Sequence, residues 1–280
     1  MVWIVVGLIL ALLIYLYIQN YLIETTAYTL TIPKLKENMK GKKVVHLSDL
    51  HLKPRINKSF VETILNKTED LHPDYILITG DLVQAGLEDF VGTPLRHFVE
   101  ECAKIAPTYV ATGNHDIASG SFDDFMFIIK TAKAHLLLDD AVILYHEDEP
   151  GLVLMGLAER QNQFNLPKPL LSSIELTEEM EELPKILMAH RPEHFERYMD
   201  DKTKAPALVL SGHTHAGQGR IPFLGGLYSP GQGFLPKYDY GIFTYSEDRS
   251  KRMIVSRGLG NSSFPLRINN RPEIGVITLN

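Results

Sequence analysis

The chain has 280 residues, enough for one large or two ordinary domains, and 45% of them are apolar, enough to bury a substantial core without covalent staples. Cys102 is the only cysteine, which excludes an internal disulfide or a thiolate cluster within one chain, so a metal must be held by His, Asp, Asn or Glu. The formal net charge of -6 offers no basic field for a phosphate backbone and makes nucleic acid a poor default partner, although it leaves a nuclease open.

From Val2 to Ile18 the residues are apolar without a break, and the first charged side chain is Glu24. An uncharged stretch of about two dozen residues has the length of a bilayer-spanning helix, and Trp3, Tyr15, Tyr17 and Tyr21 flank it as an aromatic belt would. A buried helix or a cleaved signal peptide would read similarly, but the segment lacks a basic n-region and exceeds the usual apolar h-region. Residues 1–23 are therefore expected to be a single-pass anchor in the cell membrane, 24–42 a linker and 43–280 one folded domain. Lys34, Lys36, Lys40, Lys42 and Lys43 follow the segment and no Lys or Arg precedes it, so the positive-inside tendency places the domain in the cytoplasm.

Beyond the linker, short β-rich runs alternate with helical ones and no repeat is visible, which predicts one α/β domain. Lys43–Leu47, Tyr75–Thr79, Thr108–Ala111, Lys185–Met188 and Leu208–Leu210 have the form of strands buried on both faces. Val142–Tyr145, Leu152–Leu157, Gly241–Tyr245, Met253–Ser256 and Gly275–Leu279 supply a second set. Thr93-Pro94 opens a helix whose Leu95, Phe98, Val99, Cys102 and Ile105 form a core stripe. Further helices are predicted over Asn57–Thr68, Ser121–Lys130, Ser172–Glu182 and Pro192–Met199.

The informative regularity lies at the end of each central strand. In turn come Asp49-Leu50-His51, Gly80-Asp81, Gly113-Asn114-His115-Asp116, His190, and Gly212-His213-Thr214-His215. In open α/β sheets the carboxyl ends of strands line the ligand crevice, so groups spread along the chain would converge. In Asp-x-His and His-x-His the two side chains lie two residues apart and can face one centre. Asp49, His51, Asp81, Asn114, His190, His213 and His215 offer more ligands than one ion of ordinary coordination uses. Two ions sharing Asp81 are the natural solution, since a carboxylate has two oxygens to divide between metals. The glycines before Asp81, Asn114 and His213 would permit sharp or positive-φ turns there. Taken singly, each pair is a common chance occurrence; five at five strand ends are not.

The pattern D-x-H, G-D, G-N-H-D, a lone H and G-H-x-H resembles the calcineurin-like metallophosphoesterases. Within them it is similar to the YkuE-like bacterial group, through Ser48-Asp49-Leu50-His51, His190-Arg191-Pro192-Glu193, Gly212 to Gln218 and the run from Ser256-Arg257-Gly258 to Arg271-Pro272-Glu273. Ala216 departs from a glycine common among relatives. The resemblance implies a four-layer α/β/β/α sandwich. It places Asp49, His51, Asp81 and His215 around one divalent ion, and Asp81, Asn114, His190 and His213 around the other. It also implies that His115 donates a proton to the leaving group, with Asp116 orienting it. Mixed sites of this kind accept Mn, Fe, Zn or Co. Two ions about 3.5–4 Å apart would generate a bridging hydroxide for in-line attack on a phosphoester, with no covalent phosphoenzyme.

Arg191 and Arg257, beside site elements, are candidates to grip substrate phosphate or to serve as ion-pair partners. Phe223-Leu224 reads as core or loop packing, or as an apolar lip for a lipid chain. His46, His72, His97, His135, His146 and His194 are assigned no role. The expected partner is a phosphodiester, pyrophosphate or phosphomonoester, with a lipid-linked or membrane-adjacent substrate leading because of the anchor. The YkuE-like group also resembles hydrolases of the lipid pyrophosphate UDP-diacylglucosamine. A catalytically silent metal-stabilised scaffold and a nucleotide phosphodiesterase or nuclease stand as alternatives.

Overall fold

Burial on both faces sets the strands, and the structure, a computed structural model, describes residues 1–261 and 264–280. In chain order the elements are α1 (Val2–Tyr21), β1 (Glu24–Leu30), β2 (Lys43–Leu47), α2 (Lys58–Asp70), β3 (Tyr75–Thr79), α3 (Leu95–Ile105), β4 (Thr108–Ala111), α4 (Asn114–Ile117), α5 (Phe122–Thr131), β5 (His135–Leu136), β6 (Asp140–His146), β7 (Glu149–Gly156), α6 (Glu178–Glu182), β8 (Lys185–Met188) and β9 (Leu208–Ser211). Two short hairpins come next, β10 (Arg220–Ile221) with β11 (Gly225–Gly226) and β12 (Tyr228–Ser229) with β13 (Gly233–Phe234), then β14 (Gly241–Thr244), β15 (Arg252–Val255) and β16 (Glu273–Leu279).

Two six-stranded mixed sheets result, ordered β1-β16-β2-β3-β4-β5 and β14-β15-β9-β8-β7-β6. In the first, β2 to β5 run parallel and β16 lies antiparallel to β2. In the second, β7, β8, β9 and β15 run parallel, with β6 and β14 as antiparallel edges. Three apolar layers hold them together. Val44, Leu77 and Ala111 of the first sheet meet Leu154, Met188, Leu210 and Ile254 of the second. On the first sheet's outer face, Val45, Ile76 and Val110 pack beneath Ile64, Phe98, Cys102 and Phe125 of the helices. On the second's, Val153, Leu187 and Val209 are covered by Leu170, Ile174, Phe195 and Tyr198. This is the expected four-layer order.

Three expectations need correction. Residues 24–42 are not simply a linker, because Glu24–Leu30 pairs in parallel with β16 from Glu24↔Glu273 to Leu30↔Leu279. Its threonines and Tyr28 alternate in exposure, which suits an edge strand. Ser172–Glu182 is helical only from Glu178, since Thr177 is extended and its hydroxyl caps the helix by accepting from the Met180 N–H. Pro192–Met199 is 3-10 and not α-helical. The second sheet's outer layer is thus built largely of turns.

α1 is apolar on every side, and its residues as far as Ile14 are all exposed. A helix of 20 residues is about 30 Å long, the thickness of a bilayer's hydrocarbon core.

Candidate metal centre

The carboxyl ends of β2, β3, β4, β8 and β9 converge and bring six of the seven predicted ligands into adjoining clusters, with Asn114 at the start of α4, whose His115 N–H donates to Asp81. Asp49, His51 and His215 form one cluster of potential ligand atoms within 4.8 Å of one another, and Asp81, His190 and His213 form another. The Asp81 carboxylate stands between them, with Oδ2 3.7 Å from His51 Nε2 and 3.3 Å from His190 Nε2. His215 Nε2 is 3.6 Å from Asp49 Oδ1 and 3.0 Å from His51 Nε2. His115 lies edge-on to the His51 ring at 4.6 Å and completes a further cluster with His51 and Asp81.

The local backbone is built for this convergence. Asp49, His51, Asp81, His213 and His215 all have φ between 45° and 70°, the left-handed region that costs an L-residue on the order of 1 kcal/mol. Carboxylates hold the strained turns: Asp49 accepts from the His213 N–H at 3.0 Å, and Asp81 Oδ1 from the His115 N–H at 2.7 Å. Gly113 and Gly212 are glycine for a different reason from the one expected. Gly113 has extended φ, and a Cβ there would overlap the Asp81 carboxylate; a Cβ on Gly212 would overlap Ser48 and Asp49. Only Gly80, at φ +94°, uses the conformational freedom predicted for all three.

The polar atoms test whether cations fit. His190 Nδ1 lies 2.7 Å from the Thr79 carbonyl and must donate to it, so Nε2, 3.3 Å from Asp81 Oδ2, either carries the second proton of an imidazolium or offers its lone pair to a cation. Positive charge lies between that nitrogen and the carboxylate in either case, a proton in the metal-free site or a metal ion in its place. Among the described residues, Asn114 Oδ1 and His190 Nε2 are buried without hydrogen-bond partners. A divalent ion fits this donor set, as it does the one around Asp49. Charge leans the same way. Burial alone would push His190 down, but the Asp81 carboxylate outweighs it and lifts the imidazolium to about 10. Burial would raise Asp81, yet His190 and His51 hold it below the usual carboxylate range. Asp49 is pushed up to about 6, by burial first and by Asp81 as well.

His115 Nδ1 accepts from the Ala85 backbone N–H at 3.2 Å, which leaves the proton of the neutral ring on Nε2. Asp116 differs from its expected role of orienting that ring. Its Oδ2 accepts from the Asp81 and Gly113 N–H groups, both at 2.8 Å, and its Oδ1 from the Val83 N–H at 3.0 Å. It therefore fastens the β3 loop to the β4 loop. Both arginines stand as ion-pair partners. Arg191 binds Glu159 at 2.8 Å and Glu193 at 3.3 Å and donates to His213 Nε2 at 3.1 Å. Arg257 pairs with Glu24 at 3.1 Å and lies 4.5 Å over the Tyr240 ring.

Sequence reasoning missed Arg267, Asn270 and Asn20. Fully buried Arg267 donates to the Arg257 carbonyl at 2.8 Å, to the Gly260 carbonyl and to His215 Nδ1 at 3.3 Å. Asn270 donates to the His215 carbonyl at 2.7 Å. Asn20, from α1, accepts from Asn261 and from the Arg267 N–H, each at 3.0 Å. The one available signal was an amide pair, Gln19-Asn20, inside an otherwise apolar stretch.

Comparison with known proteins agrees with this geometry. The profile of the family described as calcineurin-like phosphoesterase matches residues 42–217. The chain is 28% identical over 89% of its length to "Transmembrane protein with metallophosphoesterase domain" of Danio rerio, of which it spans 55%. It is 27% identical to "Phosphodiesterase YaeI" of Escherichia coli K12, covering 87% of this chain and 84% of that one. It is also 27% identical to "Uncharacterized metallophosphoesterase YkuE" of Bacillus subtilis 168, over 94% and 87% respectively. The crystal structure of TT1561 of Thermus thermophilus superposes with a TM-score of 0.51 at 12% identity, covering 78% of this chain and 90% of that chain, a likeness of fold.

Proposed function

Since the chain belongs to the calcineurin-like phosphoesterase family, we propose that it is a dinuclear metal-dependent hydrolase of a phosphodiester or pyrophosphate bond. The observation that carries this reading is the Asp81 carboxylate between two clusters of ligand atoms, within 3.7 Å of a ring nitrogen in each. Asp49, His51, Asp81 and His215 would hold one ion, and Asp81, Asn114, His190 and His213 the other. When bound, such a pair neutralises phosphoryl oxygens and activates water at neutral pH.

The chain's own residues supply the rest. His115, fixed through Nδ1 by the Ala85 N–H, would present its Nε2–H as a hydrogen bond that stabilises charge on the departing oxygen, the ring staying neutral. Arg191 positions the His213 ring and keeps Glu159 and Glu193 paired near the second cluster. Asp116 sets the backbone from which Asp81 and Asn114 project. The printed name of the Escherichia coli relative favours a diester over a monoester.

A transmembrane-named relative and α1 support membrane association, and we read the chain as single-pass with its domain on the side of Lys34 to Lys43, the cytoplasm. A lipid-linked substrate follows from that placement. The direct test is hydrolysis of aryl phosphodiester and aryl phosphomonoester by the full chain, with added Mn²⁺ and after chelation. Diester turnover that chelation abolishes and metal restores is expected; turnover indifferent to chelation refutes the reading. A C-terminal reporter active only outside the cell should be silent.

A further inference from the structure

The loops beside the metal centre carry apolar side chains that no core receives. Phe223, Leu224, Phe234, Leu235, Phe264 and Ile268 are all exposed, Phe223 and Phe234 at 107% and 76% of their full surface. They occupy three segments that are bonded into one face. The Arg220 N–H donates to the Ile268 carbonyl at 2.9 Å, Leu227 N–H to Gly219 at 2.8 Å and Leu235 N–H to Leu227 at 3.0 Å. Gln218 donates to the Phe264 and Leu266 carbonyls, both at 3.0 Å.

That face is bonded to α1 along its side. The Tyr15 hydroxyl donates to Asn269 Oδ1 at 2.8 Å and accepts from the Asn269 N–H at 3.0 Å. Gln19 accepts from the Asn270 N–H at 2.7 Å, and Asn20 from the Arg267 N–H at 3.0 Å. Tyr15 lies six residues before the helix end at Tyr21, about 9 Å along the axis. If all 20 residues of α1 are needed to cross a core about 30 Å thick, a segment docked at Tyr15 sits at or below the headgroup level of the leaflet from which α1 emerges.

We propose that the three loop segments bearing Phe223, Phe234 and Phe264 are immersed in that leaflet beside α1, forming a second membrane contact that holds the mouth of the metal centre at the lipid surface. The occupant is a bilayer, because the face is continuous with the spanning helix and exposed apolar tips of this kind are the means by which interfacial proteins hold lipid. A groove of about 240 Å³ then opens at headgroup level, lined by Asn20 and Tyr21 of α1, by Lys53, Arg55 and Phe60, and by His51 of the centre. Its two cations suit a lipid phosphate. On the phosphoesterase reading, a phosphate at headgroup depth reaches His51 without its lipid leaving the bilayer.

Trp3 is the only tryptophan, so a Trp3→Phe background allows single reporters in the full chain. Phe223→Trp and Phe234→Trp, reconstituted in phosphatidylcholine and phosphatidylglycerol vesicles, would be compared with Phe127→Trp on α5, which adjoins β5 at the sheet edge opposite β1. Acyl-brominated lipid should quench the first two several-fold more than the third, and acrylamide the reverse. All three positions are exposed, and unchanged hydrolysis of a water-soluble aryl diester confirms folding. The proposal is overturned if residues 223 and 234 answer to acrylamide like residue 127, or if their protection depends on protein concentration, which would indicate a second copy of the chain as the cover. Lipid quenching without hydrolysis of any ester would retain the membrane face and defeat the phosphoesterase reading instead.

Discussion

Replacing Asp116 with Asn separates a structural fastener from a catalytic aide. The carboxylate is fully buried and accepts three backbone N–H bonds, two on Oδ2 and one on Oδ1. An amide retains one oxygen, so at best it keeps the Asp81 and Gly113 donors and turns an NH₂ toward the Val83 N–H. The loss of one charge-assisted bond is about 1.5–3 kcal/mol, and a buried donor without an acceptor adds about 1–3 kcal/mol. Against this, burial and the neighbouring Asp81 already push the Asp116 carboxyl up to about 7, so the neutral amide escapes some desolvation. A net loss of about 2–4 kcal/mol is expected. Denaturant unfolding in micelles with chelator present, so that ion binding does not enter, reads it directly. His115→Ala should remain within about 1 kcal/mol of wild type in the same assay. If Asp116→Asn proves as stable as wild type and loses only the rate that His115→Ala loses, Asp116 acts through His115 and the fastener argument fails.

His115→Ala should retain its metal and lose about 10²–10³-fold in rate on poor leaving groups, and much less on aryl esters; equal losses on all would remove it from the leaving-group side. Arg267→Lys should weaken metal retention and lower the unfolding midpoint, because a single ammonium cannot meet the carbonyls of Arg257 and Gly260 together with His215 Nδ1; elemental analysis beside a melting curve decides. His46 is buried, lies 2.8 Å from the Thr79 hydroxyl, and burial lowers its pKa from 6.5 to about 3. The unfolded chain therefore takes the proton first as pH falls below 6.5, and stability is lost progressively towards pH 3. By about pH 5 the loss is about 2 kcal/mol, which His46→Gln should remove from the pH profile of unfolding. Ala216→Gly should be nearly neutral: relief of φ +51° is worth about 1–2 kcal/mol, while a buried methyl at about 0.8 and unfolded-state entropy at about 0.4–1 kcal/mol oppose it. A large melting shift in either direction would contradict that balance.

The central strands were legible because burial on both faces imposes one composition, and the cluster because side chains two apart on extended chain share a side. The seven predicted ligands needed no knowledge of loops, only of strand ends. What escaped depended on partners remote in sequence. Glu24–Leu30 looked like a linker because threonine is polar, yet its pairing with β16 joins residues about 250 positions apart. Arg267 read as one more surface charge, since nothing near it in the sequence shows that carbonyls of Arg257 and Gly260 close around its guanidinium. Asp116 was assigned by adjacency to His115, whereas its carboxylate binds backbone from three other residues. Phe223 and Leu224 read first as core or loop packing, and their exposure removes the core from that reading.

The centre also explains why its carboxylates and glycines form one unit. Asp49 and Asp81 each do two things: they present oxygen to a cluster of imidazoles, and they bind the backbone N–H of the next ligand-bearing turn, His213 and His115 respectively. Of the turns they bind, that of His213 is strained, and Asp49 and Asp81 are themselves among the five candidate ligands at positive φ. Relaxation is prevented by neighbours that would themselves be the metal's ligands. Gly113 and Gly212 leave the space those carboxylates occupy, so a methyl group at either site displaces an acceptor and frees a strained turn together. Charge and geometry are therefore coupled: removing a carboxylate withdraws a candidate ligand and also unfastens the loop that carries another. Losses from single ligand substitutions at such a centre will not add, because any one of them disturbs both clusters through the shared Asp81.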